Sequence, residues 1–249
     1  MFLRVRNLGK LSPHRYGLLR TCALAAPIWL AMHGAAAPVH AADTAAQPRP
    51  HFDLRTKMTV DVDGAPNAYG PANLPTLDYL HNAHLDGTAN TPIVGYLTRR
   101  DHHTPILQGP HDPCPGYYIS TTDFRDDSID DDANPRKYLD ATRISYIVLG
   151  RFAMRHHVHL GDLVVVHSDR THRTVYAIAG DTGNASGGEG SLALLRALGY
   201  PFLDGKTYAV EQREIVIRYF PGSNPTHRFF HSQAEIDSAA DALHLDRSF

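Results

Sequence analysis

The stretch LGDLVVVHSDRTHRTVYAIAGDTGNASGGEGSLALLRALG, residues 160–199, decides how the fold is read. Leu160-Gly161-Asp162-Leu163 is a tight turn that opens a strand, and Leu163 to Val166 is an apolar, β-branched run. A second strand, Thr174 to Ala179, runs into Gly180-Asp181-Thr182-Gly183. A glycine-rich loop follows. Gly188-Glu189-Gly190-Ser191 then leads into a helix over Gly190 to Leu198, which Gly199 ends. Two carboxylates are thus held on either side of a loop, Asp181 ending a strand and Glu189 beginning a helix. Glycine flanks both, so a bulky ligand can approach their oxygens.

Working outward, Lys57 to Val62 alternates as a strand should. Thr76 to His84 reads as a short helix capped by Thr76. Pro92 to Thr98, Gly116 to Ser120 and Ile144 to Leu149 are β-rich runs between turn residues. Thr207 to Tyr219 offers one or two strands anchored by Val210 and Ile215 to Ile217, and Ala234 to Leu245 is an amphipathic helix. Many short strands with few helices predict a mostly β (α+β) domain, a barrel or sandwich with peripheral helices.

The chain has 249 residues, 43% hydrophobic and 20% charged, which excludes a wholly disordered, collagenous or polytopic membrane protein. Residues 1–20 are basic without a carboxylate, and an apolar run from Cys22 to Ala37 leads to Val39-His40-Ala41. This three-part pattern predicts a secretory signal over 1–41, a linker over 42–50 and a single domain over 51–249. The expected location is extracellular or periplasmic, with no membrane association after cleavage. Removing 1–41 leaves 19 basic against 26 acidic residues, a net charge of −7, which argues against a nucleic-acid binder. Cys114 is then the single cysteine, so no intrachain disulfide can form. It reads as a small buried hydrophobe, since no activating base adjoins it.

Asp181 and Glu189 could be an acid/base pair of the kind that cleaves glycosidic bonds. They could equally be a turn residue and a favourable charge in a first helical turn. Asp61 and Asp63 alternate along one strand and face the same side, where they could line a cleft, hold a cationic amine or replace one of that pair. Otherwise they cap a turn. The run Asp123, Asp126, Asp127, Asp130, Asp131, Asp132 reads as a solvated loop that lacks the EF-hand spacing, and it could steer a polycation. His156, His157 and His159 lack a completing ligand, so no metal is expected. Asp162 serves its turn.

The blocks Asp61-Val62-Asp63-Gly64-Ala65-Pro66-Asn67-Ala68-Tyr69, Leu77-Asp78-Tyr79-Leu80-His81-Asn82-Ala83, Asp112-Pro113-Cys114-Pro115-Gly116-Tyr117-Tyr118-Ile119-Ser120, Arg143-Ile144-Ser145-Tyr146-Ile147-Val148-Leu149 and Gly188-Glu189-Gly190-Ser191 follow one another in an order that resembles the chitosanases of glycoside hydrolase family 75. The likeness spans about residues 58–200. It implies inverting hydrolysis of β-1,4 glucosamine linkages, with Asp181 and Glu189 as the catalytic carboxyls. A six-stranded double-psi-like β-barrel core is implied as well, with Glu189 as general acid and Asp181 as base by analogy with that fold. Ser145 stands where the family pattern has proline. With no tryptophan after residue 41, stacking on sugar would fall to Tyr69, Tyr117 and Tyr118. Asp61, Asp63 and Thr182 join them as substrate contacts. The expected partner is chitosan or a related amino-sugar polymer, bound by a monomer without cofactor. The alternatives are a peptidoglycan-active glycosidase or lytic transglycosylase on the same barrel, and a non-catalytic glycan-binding domain.

Overall fold

The computed structural model describes residues 49–88 and 90–249. The expected signal segment and most of the linker lie outside the described residues. Six strands close into one barrel: β1 (Phe52–Asp61), β2 (Tyr146–Leu149), β3 (Leu163–Ser168), β4 (Arg173–Thr182), β5 (Glu189–Ser191) and β6 (Ala209–Tyr219), in the spatial order β1-β5-β2-β4-β3-β6. The helices are short: α1 (Arg151–Arg155), α2 (Leu192–Ala197) and α3 (Gln233–Ala242). The expected mostly-β barrel with peripheral helices is the architecture found.

The pairing hides a symmetry. β1 runs parallel to β5 and β4 parallel to β2; β1 is antiparallel to β6, and β4 to β3. β2 with β5 and β3 with β6 complete the set, both antiparallel. Exchanging β1, β2, β3 for β4, β5, β6 leaves this list unchanged, so an internal two-fold relates the halves. Registers obey it residue by residue. Thr59 opposes Glu189 as Ile178 opposes Tyr146, and Asp61 opposes Ser191 as Asp181 opposes Val148 across a bulge. The β2–β5 pair Ile147–Gly190 sits on the axis.

Burial explains the closure. In β1 the even positions from Phe52 to Val60 turn inward and the odd ones outward, as a period of two requires. β2 is buried on both faces, and Leu163 to Val166 are at most 1% exposed. Such strands give up water only when wrapped on all sides, which a closed barrel with parallel pairs provides. Ser191 ties β5 to the start of β2: its Oγ accepts the N–H of Tyr146 (3.1 Å) and of Leu194 (3.1 Å), capping α2, and donates to the Ile144 carbonyl (2.7 Å). α3 begins with a capping sequence, Ser232 accepting from Glu235 N–H, and buries Ile236 and Ala240. The Ser145 N–H donates to Gln233 Oε1 of α3 (2.9 Å), a bond that proline could not make.

Several sequence expectations change. Glu189 opens strand β5 rather than a helix, because parallel pairing with β1 claims residues 189–191 before α2 starts at Leu192. Thr76 to His84 holds only a 3-10 turn at Leu80–Ala83, and Thr76 caps no helix: its hydroxyl donates to the Asp78 carbonyl (2.8 Å). Pro92 to Thr98 and Gly116 to Ser120 meet through the single bridge Tyr96–Ser120 and stay outside the barrel strands. Thr207 to Tyr219 resolves as one strand. Ser191→Ala is expected to cost about 2–3 kcal/mol, because it orphans two buried N–H groups and a carbonyl; chemical denaturation measures it.

Candidate functional site

The symmetry-related ends of β1 and β4 bring Asp61 and Asp181 together, and the start of β5 adds Glu189 beside Asp61. Parallel register places Thr59, Asp61 and Glu189 on one face of the β1–β5 ladder. The chain then turns: Asp63 N–H donates to Asp61 Oδ1 (2.8 Å), which sets Asp63 next to it. Gly64 makes this turn at φ +76°, where an added Cβ would lie 1.9 Å from the Leu139 carbonyl oxygen.

Each acid has its own support. Asp63 Oδ1 accepts the Tyr69 hydroxyl (2.7 Å). The Tyr146 hydroxyl donates to the Asp63 carbonyl (2.8 Å) and sits beside the Asp61 carboxyl. Asp181 is 7% exposed, and its Oδ1 accepts the N–H of Thr182 (2.7 Å) and of Asp123 (3.1 Å). Among the described residues no donor reaches its Oδ2. The Thr182 hydroxyl closes the loop by donating to Asp123 Oδ2. Glu189 is partly buried, with Thr59 Oγ1 at 3.4 Å and Asn184 nearby.

These acids lack counter-charge. Among the described residues, no ion pair reaches Asp61, Asp63, Asp181 or Glu189. Burial, then the Glu189 charge, pushes Asp61 up to about 7. Burial, Asp61 and Asp181 raise Asp63 well above the usual carboxylate range. Burial, Asp61 and Asp123 do the same to Asp181, and burial alone raises Glu189. Asp78 is pushed up to about 6 by burial, against bonds from Asn82 and Tyr79. Burial and like charge thus both oppose full ionisation of this set.

A cavity of about 590 Å³ adjoins Asp181, sharing Asp123 and Thr182 with it and floored by Leu149, Met154, Val158 and Leu160. Its size suits a small organic ligand or sugar unit.

The structure therefore joins Asp61, Asp63, Asp181, Glu189 and Thr182 in one site. Tyr69 is not a stacking platform. It is 2% exposed, packs on Tyr96 and gives its hydroxyl to Asp63. Tyr117 and Tyr118 are partly buried; Tyr117 donates to the Pro75 carbonyl (2.9 Å) and Tyr118 packs on Tyr96. Asp162 ties turns together, accepting His159 N–H (2.9 Å) and Gly222 N–H (3.1 Å). His156, His157 and His159 are exposed. Cys114 is only partly buried.

Sequence reading missed Asp78, Tyr146 and the backbone role of Asp123. Two of them lay inside blocks already singled out, while Asp123 was hidden in an acidic run. The rest of that run is largely structural, with Asp126 accepting from Ser128 and Asp132 pairing with Lys137 at 2.7 Å. Among the described residues, no group of three or more His, Cys, Asp or Glu side chains is arranged to hold a metal ion. No helix among them is long and apolar enough to cross a membrane. The chain matches no model of a known protein family, and no curated protein matches it either.

The raised acids carry a pH signature. Between 3.8, the usual aspartate value, and about 7, the folded chain keeps a proton on Asp61 that the unfolded chain has released. Folding takes up protons there, so this group's contribution to stability falls as pH rises through that window. Asp61→Asn is expected to gain stability relative to the native chain from pH 4 to pH 8. Paired thermal midpoints check this, and a flat difference would rule out titration of Asp61 in that range.

Proposed function

We propose that the chain is a glycoside hydrolase that cleaves β-1,4-linked glucosamine polymer, a chitosanase, by an inverting acid/base mechanism. The observation that carries this reading is the group of carboxyls, Asp61, Asp63, Asp181 and Glu189, that burial raises and that no ion pair among the described residues reaches. An ammonium-bearing sugar supplies the missing charge, so the site selects a cationic polymer over a neutral one. The arrangement of blocks resembling family 75 chitosanases supports the same chemistry.

The roles follow from the surroundings. Glu189 receives no backbone N–H that would favour its anion, and burial raises its affinity for a proton against the bonds from Asn184 and Thr59. It donates that proton to the glycosidic oxygen as the C1–O bond breaks. Asp181 has two backbone N–H groups on Oδ1, which favour its ionised form once a substrate ammonium lowers the local negative potential. Its Oδ2 takes a proton from water as the water oxygen bonds to C1. The sum is addition of one water across the linkage. The cavity beside Asp123 and Thr182 receives an adjoining sugar of the chain, its apolar floor meeting the C–H face of the ring.

Incubation of the purified protein with highly deacetylated chitosan should release new reducing ends, the first of them α anomers by proton NMR. Glu189→Gln and Asp181→Asn should each lower the rate at least about a hundredfold. No release from chitosan would overturn the substrate assignment, and β anomers would overturn inversion. Release of anhydro ends from peptidoglycan instead would favour the transglycosylase alternative.

A further inference from the structure

Tyr69 is buried and Tyr117 and Tyr118 are half-buried, but Tyr79 is 46% exposed, the one exposed tyrosine among the described residues. The exposed His81 ring lies nearly parallel to it, tilted by 13° with ring centres 5.4 Å apart, an offset stack. Lys206 Nζ stands 5.5 Å from the Tyr79 ring centre. The residue before Tyr79 is Asp78, 7% exposed. Its Oδ1 accepts the N–H of Tyr79 (2.7 Å) and the side-chain amide of Asn82 (2.7 Å). Among the described residues no donor reaches its Oδ2, and no ion pair reaches the carboxyl.

The fold holds this segment against the acids. Leu77 N–H donates to the Asn67 carbonyl (3.0 Å) and Asp78 N–H to that of Ala68 (3.1 Å), just before Tyr69, whose hydroxyl holds Asp63. Gly205 N–H closes the other side on the Leu77 carbonyl (2.9 Å). A Cβ on Gly205 would sit 3.3 Å from Asp78 Oδ2 and 3.1 Å from Val62 Cγ1. The free oxygen therefore lies close to the residue between Asp61 and Asp63, and glycine at 205 leaves it uncrowded.

We propose that Tyr79, His81 and Asp78 form a sugar-binding subsite that takes a glucosamine unit, its ring on the aromatic pair and its ammonium on Asp78 Oδ2. None of the three lines the cavity beside Asp181, so this subsite is separate from it. The inference rests on the glycosidase reading for its ligand. An open aromatic ring meets the C–H face of a sugar by dispersion and needs no charge. A carboxyl with one oxygen tied and the other free is oriented before a ligand arrives, so an ammonium docks with little ordering cost. Burial pushes Asp78 up only to about 6, which leaves it ionised at neutral pH. An N-acetylated unit carries no ammonium, so Asp78 separates the two sugars while Tyr79 does not.

Calorimetry on a Glu189→Gln background, which keeps the ligand intact, compares a glucosamine hexamer with an N-acetylglucosamine hexamer. Asp78→Asn keeps the shape and the Oδ1 acceptor but removes the charge. It should weaken the glucosamine hexamer at least about tenfold and the N-acetylated one by less than about twofold. Tyr79→Ala, at an exposed ring, should weaken the glucosamine hexamer about fivefold, and it serves if Asp78→Asn does not fold. In hydrolysis of the glucosamine oligomer with Glu189 intact, each change should raise KM more than it lowers kcat. Equal weakening of both hexamers by Asp78→Asn would show a merely structural carboxyl and overturn the ammonium contact. Unchanged affinity in both variants, or no binding of the glucosamine hexamer, would overturn the subsite. Cleavage of chitosan with those affinities unchanged leaves the glycosidase reading standing without the subsite. Weakened binding in the variants with no cleavage by the native chain leaves the subsite standing without that reading.

Discussion

Electrostatic repulsion among buried carboxyls is the constraint around which this molecule is organised. Desolvated acids near one another disfavour the compact state, and hydrogen bonds relieve these only in part. They persist because the barrel over-determines their positions. Strand ends carry Asp61 and Asp181, and a ladder that closes on itself cannot splay to separate them. Phenols replace the cations that other buried acids receive. Tyr69 and Tyr146 are both at most 2% exposed and aim their hydroxyls at the Asp61–Asp63 turn. A phenol donates a hydrogen bond without cancelling charge, so it orients the acid and offsets only part of the rise in proton affinity that burial causes.

The contrast with the rest of the chain makes the point. Arg218, on β6, is 8% exposed and holds Asp53 with two bonds of 2.9 Å and Asp246 with one of 2.7 Å. Lys137, 6% exposed, pairs with Asp132. For Asp53, Asp246 and Asp132 the chain supplies a cation, and for the buried Asp162 a set of backbone N–H groups. At the ends of β1 and β4 no ion pair forms among the described residues, and burial raises the carboxyls there.

Much of this was legible in the sequence, for identifiable reasons. Alternation of period two in β1 and the apolar runs of β3 and β4 report burial directly, so those strands could be read from residue order. Asp61 and Asp63 were legible as a pair, but not as two same-face strand residues: β1 ends at Asp61, whose carboxyl caps the turn that holds Asp63. Glycines marked Asp181 and Glu189. What could not be read is what depends on strand pairing. Parallel register with β1 turns Glu189 into a strand residue, although the local pattern reads as a helix start. Tyr69 and Tyr117 looked alike as aromatic residues near glycine, and only packing separates a buried hydroxyl donor from a half-buried loop ring. Asp123 enters the site through its backbone N–H, which side-chain identity does not announce.

The axis through Ile147 and Gly190 has a consequence for how such a site could arise. Neither half closes a barrel by itself, because each long strand finds its parallel neighbour in the other half. A half-length chain with one aspartate at this register, paired with its own copy, would hold two identical acids and two identical neighbours. The two ends of such a site would be chemically alike. Fusing the halves frees the neighbours to diverge, and here one is Glu189 and the other Tyr146. That single inequality sets a carboxyl against a phenol at equivalent places in a scaffold otherwise built from two equal parts.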